Sequence, residues 1–366
     1  MNRVIRVVLI VGVAALVACG YSSKPAAEDA TVNLYIWTNY VAPDTLAGFS
    51  AHSGIKVNVS YFDSNETLEG RLLTGHSGYD VVVPSANFVA REIKSGAFLP
   101  LDKARLSNWS HLDPALMHQI AANDPGNRYA VDYTFGTVGI GYNANAVRGI
   151  GLDPPDSWGV VFDPEIAKHY SGCGIGVIDS PAEMVRLALI YLHRDPDTPS
   201  EEALAQVEAL LLQARPSIRL IASDTVEPLA NGDICLAVAY NGGILQSRNR
   251  ARESRNGVEI AFALPKEGSL LWADLLAIPK DAPHPDNAYR LMNYLLEPKV
   301  IAAISNATGY ANGNLHSRPL IDPKVRFDPA TFPSEADSKR LQLESDDSPA
   351  QTRRFTRIWQ RFKTAP

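Results

Sequence analysis

The strongest constraint on the fold is a change of apolar period that recurs along residues 31–99. Val32, Leu34 and Ile36 alternate with Asn33, Tyr35 and Trp37, and Ile55, Val57 and Val59 alternate with Lys56, Asn58 and Ser60. That is the repeat of strands with one face toward a core. Between and after them the period lengthens. In DSNETLEGRLLTG, Asp63 is the expected N-cap with Glu66 three residues on, Leu68, Leu72 and Leu73 share a face, and Gly75 is the stop. YDVVVPS (79–85) is a short continuous apolar run, as in a strand covered on both faces, and FVAREIKSG returns to helix. Strands and helices alternating at this spacing predict a mainly parallel α/β sheet.

The theme resumes downstream. GIGVID (174–179) and DICLAVAY (233–240) are expected strands, with the helix SPAEMVRLALIYL after the first. Between the two halves, the Gly-rich YTFGTVGIGYN (133–143) is an extended segment suited to cross from one domain to the other, and a second crossing is expected near RNGVEIAFALPKEG (255–268). LLWADLLAIP is strand-like and DNAYRLMNYLLEPKVIAAI helical. The C-terminal QTRRFTRIWQRF places Phe355, Ile358, Trp359 and Phe362 at helical spacing. The expected division is residues 31–135 with 260–312 in one lobe, and 136–259 with 313–366 in the other.

The first residues read differently. Arg3 and Arg6 precede an apolar run, Val7 to Val17, too short to span a bilayer, and LVAC (16–19) resembles the bacterial lipobox. Residues 1–18 are expected to be a lipoprotein signal peptide, Cys19 the lipidated residue and 19–30 a polar tether; an ordinary export signal is the alternative. Loss of Arg3 and Arg6 would move the formal net charge from −6 to −8, which disfavours nucleic acid and mildly favours cationic ligands. About 345 residues would remain, enough for two cores. Of three cysteines, Cys173 and Cys235 are then left. In an oxidising compartment that even remainder points to a disulfide, with two buried thiols as the alternative. No Cys or His pair has zinc-ligand spacing, and no metal or cofactor is expected.

YIWTNYVAPDT, FDSNETLEGRLLTGHSGYDVVVPS, LDKARLSNWSHLD, DPGNRYAVDYTFGTVGIGYN, DSWGVVFDPE, LANGDICLAVAY and YANGN resemble the polyamine (putrescine and spermidine) branch of the periplasmic solute-binding proteins of ABC importers, over essentially all of residues 31–366. The resemblance implies a two-lobe type II binding-protein fold joined by hinge strands, acting as a monomer that delivers its solute to ABC permease subunits. A polyamine needs aromatic walls for its methylenes and carboxylates and hydroxyls for its ammonium protons. By the family match, Trp37, Thr38, Asn39, Tyr40, Ser85, Glu183, Tyr240, Trp272, Asp274 and Tyr310 face the ligand. Trp272 and Asp274, two apart in a strand, point to one face. Glu183 has a second reading, because Ser180-Pro181-Ala182-Glu183 also fits a capping box. Trp37, Tyr240 and Trp272 also suit a core, and Asp274 an internal salt bridge.

The chain departs from the family where Asn39 and Gly243 stand in place of usual aspartates. This leaves Asp274, and Glu183 farther off, as acids for the cleft. A ligand with one ammonium and a guanidino, neutral or carboxylate far end (agmatine, an ω-amino acid) becomes the alternative, while Trp272 and Thr38 resemble spermidine-preferring members. Catalysis is disfavoured: no nucleophile elbow, paired metal-binding His or P-loop is present, and GTVGIGYN lacks the helix a dinucleotide site requires. A ligand sensor feeding a signalling partner is the remaining rival to a transport component.

Overall fold

The computed structural model describes residues 29–365; the signal segment, Cys19 and nearly all of the tether lie outside those residues. Among the described residues ten strands form the sheet. They are β1 (Thr31–Trp37), β2 (Lys56–Phe62), β3 (Val81–Val82), β4 (Ala130–Asn143), β5 (Ile175–Ile178), β6 (Ile218–Ala222), β7 (Leu236–Tyr240), β8 (Ile260–Ala263), β9 (Ser269–Ala277) and β10 (Leu341–Leu343). Their order is β2-β1-β3-β9-β4-β7-β5-β6, with β10 beside β9 and β8 beside β4. β1, β2 and β3 run parallel, as do β5, β6 and β7. Each parallel set is one end of the sheet, and the antiparallel pair β4–β9 joins them.

That pair makes the molecule two-lobed. The first part of β4, Ala130 to Thr137, pairs with β9, whereas Val138 to Asn143 pair with β7 and β8. The apolar side chains divide at the same place. Leu34, Ile36, Val82, Phe135, Leu275 and Leu291 belong to one core, and Val138, Ile140, Val177, Val238, Trp158 and Trp359 to the other. Every β4 residue is buried, so it reads as an unbroken apolar and glycine run rather than an alternating one. Of residues 313–366, Ile321, Phe332, Leu341 and Leu343 pack in the first core and Phe355, Ile358 and Phe362 in the second.

Three local readings change. The helix Asn65–Leu73 is capped by Ser64, whose Oγ accepts from the Thr67 amide at 3.2 Å, not by Asp63. Ser64 has the extended backbone an N-cap needs. The second crossing falls at β9 rather than 255–268, because β8 pairs wholly with the distal half of β4. The long helical stretch after it is two helices, Pro285–Leu295 and Pro298–Thr308, since Pro298 has no amide to continue the first.

Cys173 and Cys235 form a disulfide across 62 residues, with Cα atoms 5.3 Å apart. It ties the segment before β5 to the start of β7 beside a main-chain bond from the Cys235 amide to the Gly174 carbonyl (2.9 Å). On chain-entropy grounds, closing such a loop stabilises the fold by about 4 kcal/mol. The paired substitution Cys173→Ala, Cys235→Ala should therefore shift guanidinium unfolding to lower denaturant by a free energy of that order. Coincident unfolding curves for parent and variant would show that the cross-link contributes nothing.

Candidate functional site

A cavity of about 400 Å³ lies where the lobes meet. Its walls include Trp37, Tyr40, Ser85, Glu183, Tyr240, Trp272, Asp274 and Tyr310. Thr38 and Asn39 are exposed and line a second cavity of about 630 Å³, which shares Tyr310 with the first. The turn at the end of β1 explains the split. Asn39 takes a left-handed backbone (φ 62°), which Asn tolerates better than most residues. The turn carries residues 38 and 39 away and brings Tyr40 back beside Trp37, their ring centroids 6.2 Å apart.

Asp274 sits at the centre of β9 and is 3% exposed. Its Oδ1 accepts from the Ser85 hydroxyl at 2.5 Å and its Oδ2 from the Tyr40 hydroxyl at 2.8 Å. Burial pushes its pKa up to about 6 even though both hydrogen bonds favour the charged form. Among the described residues it has no Lys, Arg or His partner, so the internal salt bridge is not formed. Ser85 is itself fixed by Asn65, which accepts from its amide and donates to its Oγ, both at 3.0 Å. Tyr40 is held through its carbonyl by the Tyr133 hydroxyl of β4 at 2.6 Å.

Rings surround this carboxylate. Tyr310 lies 5.2 Å from Tyr40 and meets Trp272 edge to face, also at 5.2 Å. Trp37 donates its indole N–H to the Val83 carbonyl (3.0 Å), which leaves its ring as wall. Trp272 is held by a close approach of backbone. A Cβ on Gly136, its partner in β4, would fall 2.2 Å from Asn241 Oδ1 and 2.4 Å from the Trp272 ring, so only glycine fits there.

Glu183 opens the helix Pro181–Tyr191 and is 9% exposed. Ser180 makes no side-chain cap bond to the backbone; its hydroxyl, like that of Tyr240, donates to the Glu183 carboxylate. The acid thus turns toward the cavity rather than completing a capping box. Burial raises its pKa, partly offset by Tyr240 and by Arg186. Trp359 and Lys363 of the C-terminal helix anchor the start of this element through Asp179, at 2.6 and 3.0 Å.

Two acids in the lining were not foreseen, the exposed Glu66 and the buried Glu344. Glu344, just beyond β10, lines the same cavity and is 8% exposed. Its Oε2 accepts weakly from Asn87 at 3.4 Å, and among the described residues its Oε1 has no partner. Period-2 alternation in the short LQLE stretch ending at Glu344 was the available signal, but three strand residues are too few to read. The sequence position replaced by Gly243 contributes nothing to the cavity lining.

Against this geometry, the profile of the bacterial extracellular solute-binding proteins matches residues 45–333. The chain belongs to that family. It is 43% identical over 343 residues to the putrescine-binding periplasmic protein SpuD of Pseudomonas aeruginosa, and 42% identical over 344 residues to the putrescine-binding periplasmic protein PotF of Escherichia coli, in each case covering 93% of both chains. The spermidine/putrescine ABC transporter substrate-binding protein PotD of Streptococcus pneumoniae superposes with a TM-score of 0.82 at 24% identity, over 92% of this chain and 99% of that one. The relatives are binding proteins, and among the described residues no helix is long and apolar enough to cross a membrane.

Tyr40 supplies one of the two bonds that keep the Asp274 charge affordable, so Tyr40→Phe should move the Asp274 titration upward from about 6. Carbon-detected NMR of the aspartate carboxyls reads this directly. An unmoved midpoint would mean that the phenol does not hold the charge.

Proposed function

We propose that this protein captures a linear cationic amine of the putrescine class between its lobes outside the cytoplasm and delivers it to an ABC permease. The observation that carries the reading is Asp274: a buried carboxylate flanked by rings, hydrogen-bonded among the described residues only by neutral hydroxyls, and lining an open cavity. An ammonium group completes it. Its N–H donors make charge-assisted bonds to the carboxylate, and its methylenes lie against Trp37, Trp272 and Tyr310. The names of the relatives, which bind putrescine, support the same class.

The lining also contains Glu66, Glu183 and Glu344 and, among the described residues, no Lys or Arg. A ligand with an anionic far end meets like charge there, which favours an amine with a second cationic group over an ω-amino acid. Trp37, Tyr40 and Ser85 stand on one lobe, Glu183 and Tyr240 on the other, and Trp272 and Asp274 on the crossing strand. A ligand touching all three stabilises the closed arrangement of lobes by its greater affinity for it, with β4 and β9 as hinge. The permease reads that arrangement. Cys19, as a lipidated residue, tethers the monomer to a bacterial membrane; LVAC is the motive.

Asp274→Asn keeps the volume and removes the charge. Removing one partner of a desolvated ion pair costs about 2 to 5 kcal/mol, so calorimetric titration with putrescine should show affinity lower by about 30- to several-thousand-fold in a folded variant. The parent's affinity should also fall as pH drops below about 6, because a protonated Asp274 must lose its proton before the cation pairs. Undiminished binding by the folded variant would remove Asp274 from the site. Separately, Cys19→Ser should release the protein from membranes on fractionation, and an unchanged distribution of parent and variant would refute the anchor.

A further inference from the structure

The Glu344 carboxylate is the least satisfied acid in the cavity. One oxygen has no partner and the other accepts a single long bond from a neutral amide, although the side chain is more than nine-tenths buried. A carboxylate so placed is costly unless something in the site satisfies it. Its backbone is fixed on both sides: the amide donates to the Leu271 carbonyl of β9 (3.1 Å), and the carbonyl accepts from Asn123 (2.9 Å). The main chain of Glu344 is therefore fixed in the cavity wall.

The charges around it define what it can take. From the helix Pro181–Tyr191 come Glu183 and Arg186, from β9 Asp274, and from β7 Tyr240; Asp347 follows on its own segment. Asp346, next to it, pairs at the surface with Lys94 at 3.6 Å. Arg186 aims its guanidinium at Asp347 and Ser345, with no hydrogen bond to Glu344. After burial, the Glu183 charge is the largest influence on Glu344, and it repels.

We infer that Glu344 is a ligand-contacting, specificity-determining acid that joins Glu183 to receive the second cationic group of a diamine, and that this acid pair holds a proton in the empty cleft which the incoming cation displaces. The inference rests on the amine reading above. Two buried carboxylates lining one cavity and repelling each other do not both ionise readily without a cation, and burial, then the Glu183 charge, pushes Glu344 well above the usual carboxylate range. On binding, the O–H bond of the neutral acid breaks and its proton leaves to buffer. The resulting carboxylate accepts N–H donors from the ligand's ammonium, which stays protonated. Asp274 and the Glu183–Glu344 pair then form two acidic poles in one cavity.

The test is calorimetric titration of the parent and of Glu344→Gln with putrescine and with n-butylamine, at pH 7.5, each in two buffers of different ionisation enthalpy. At that pH Asp274, with its midpoint at about 6, is already ionised. The parent should favour putrescine and release a proton to the buffer on binding it. Glu344→Gln, its folding checked by melting temperature, should lose about 30-fold or more in putrescine affinity, keep its butylamine affinity, and release fewer protons. Proton release by the parent is measured without any variant, and its absence overturns the proton-sharing pair. A folded Glu344→Gln protein with the parent's preference for putrescine overturns the role of Glu344. If neither amine binds the parent, it is the amine reading itself that fails.

Discussion

Taking a carboxylate out of water costs several kcal/mol after relaxation, and the middle of β9 does so with only two hydroxyls to offset it. Asp274 holds its charge near neutral pH because Ser85 and Tyr40 reach it from the first lobe, at 2.5 and 2.8 Å. Those hydroxyls are in place because β3 lies between β1 and β9 in the sheet, because Asn65 fixes Ser85, and because β4 holds Tyr40 through Tyr133. The sheet order is in this sense the scaffold of one electrostatic site. A residual cost remains, visible as a pKa of about 6, and a cation is the group that relieves it.

The same crossing strands carry both the site and the connection between lobes. β4 pairs with β9 from Ala130 to Thr137, and beyond residue 137 its side chains enter the other core. A ligand held by Asp274 and Glu183 therefore contacts the connection and the far lobe at once. Differential affinity for one arrangement of lobes follows from that placement alone, with no need for a separate relay.

Much of this was legible in the residues. The alternation of Val32, Leu34 and Ile36, the apolar run at 81–83 and the i, i+3, i+4, i+7 spacing of Phe355, Ile358, Trp359 and Phe362 are local patterns, and they produced the strands and helix they predict. Trp272 and Asp274 share a face because a strand has period two. What was not legible is non-local. Whether Glu183 caps its helix or turns into a cavity depends on Tyr240, 57 residues away. Thr38 and Asn39 part from Trp37 and Tyr40 through one left-handed residue. Glu344 follows a three-residue strand whose partner, β9, begins 72 residues earlier at Ser269, and no window of sequence reports that pairing.

The most direct test of a cation-binding cleft centred on Asp274 is a crystal structure of the protein grown with putrescine. One ligand nitrogen should lie within hydrogen-bond distance of the Asp274 carboxylate, the methylenes against Trp37 and Trp272, and the other nitrogen at Glu183. A structure at saturating putrescine with the cavity occupied only by water, or with the amine bound away from Asp274, would contradict it.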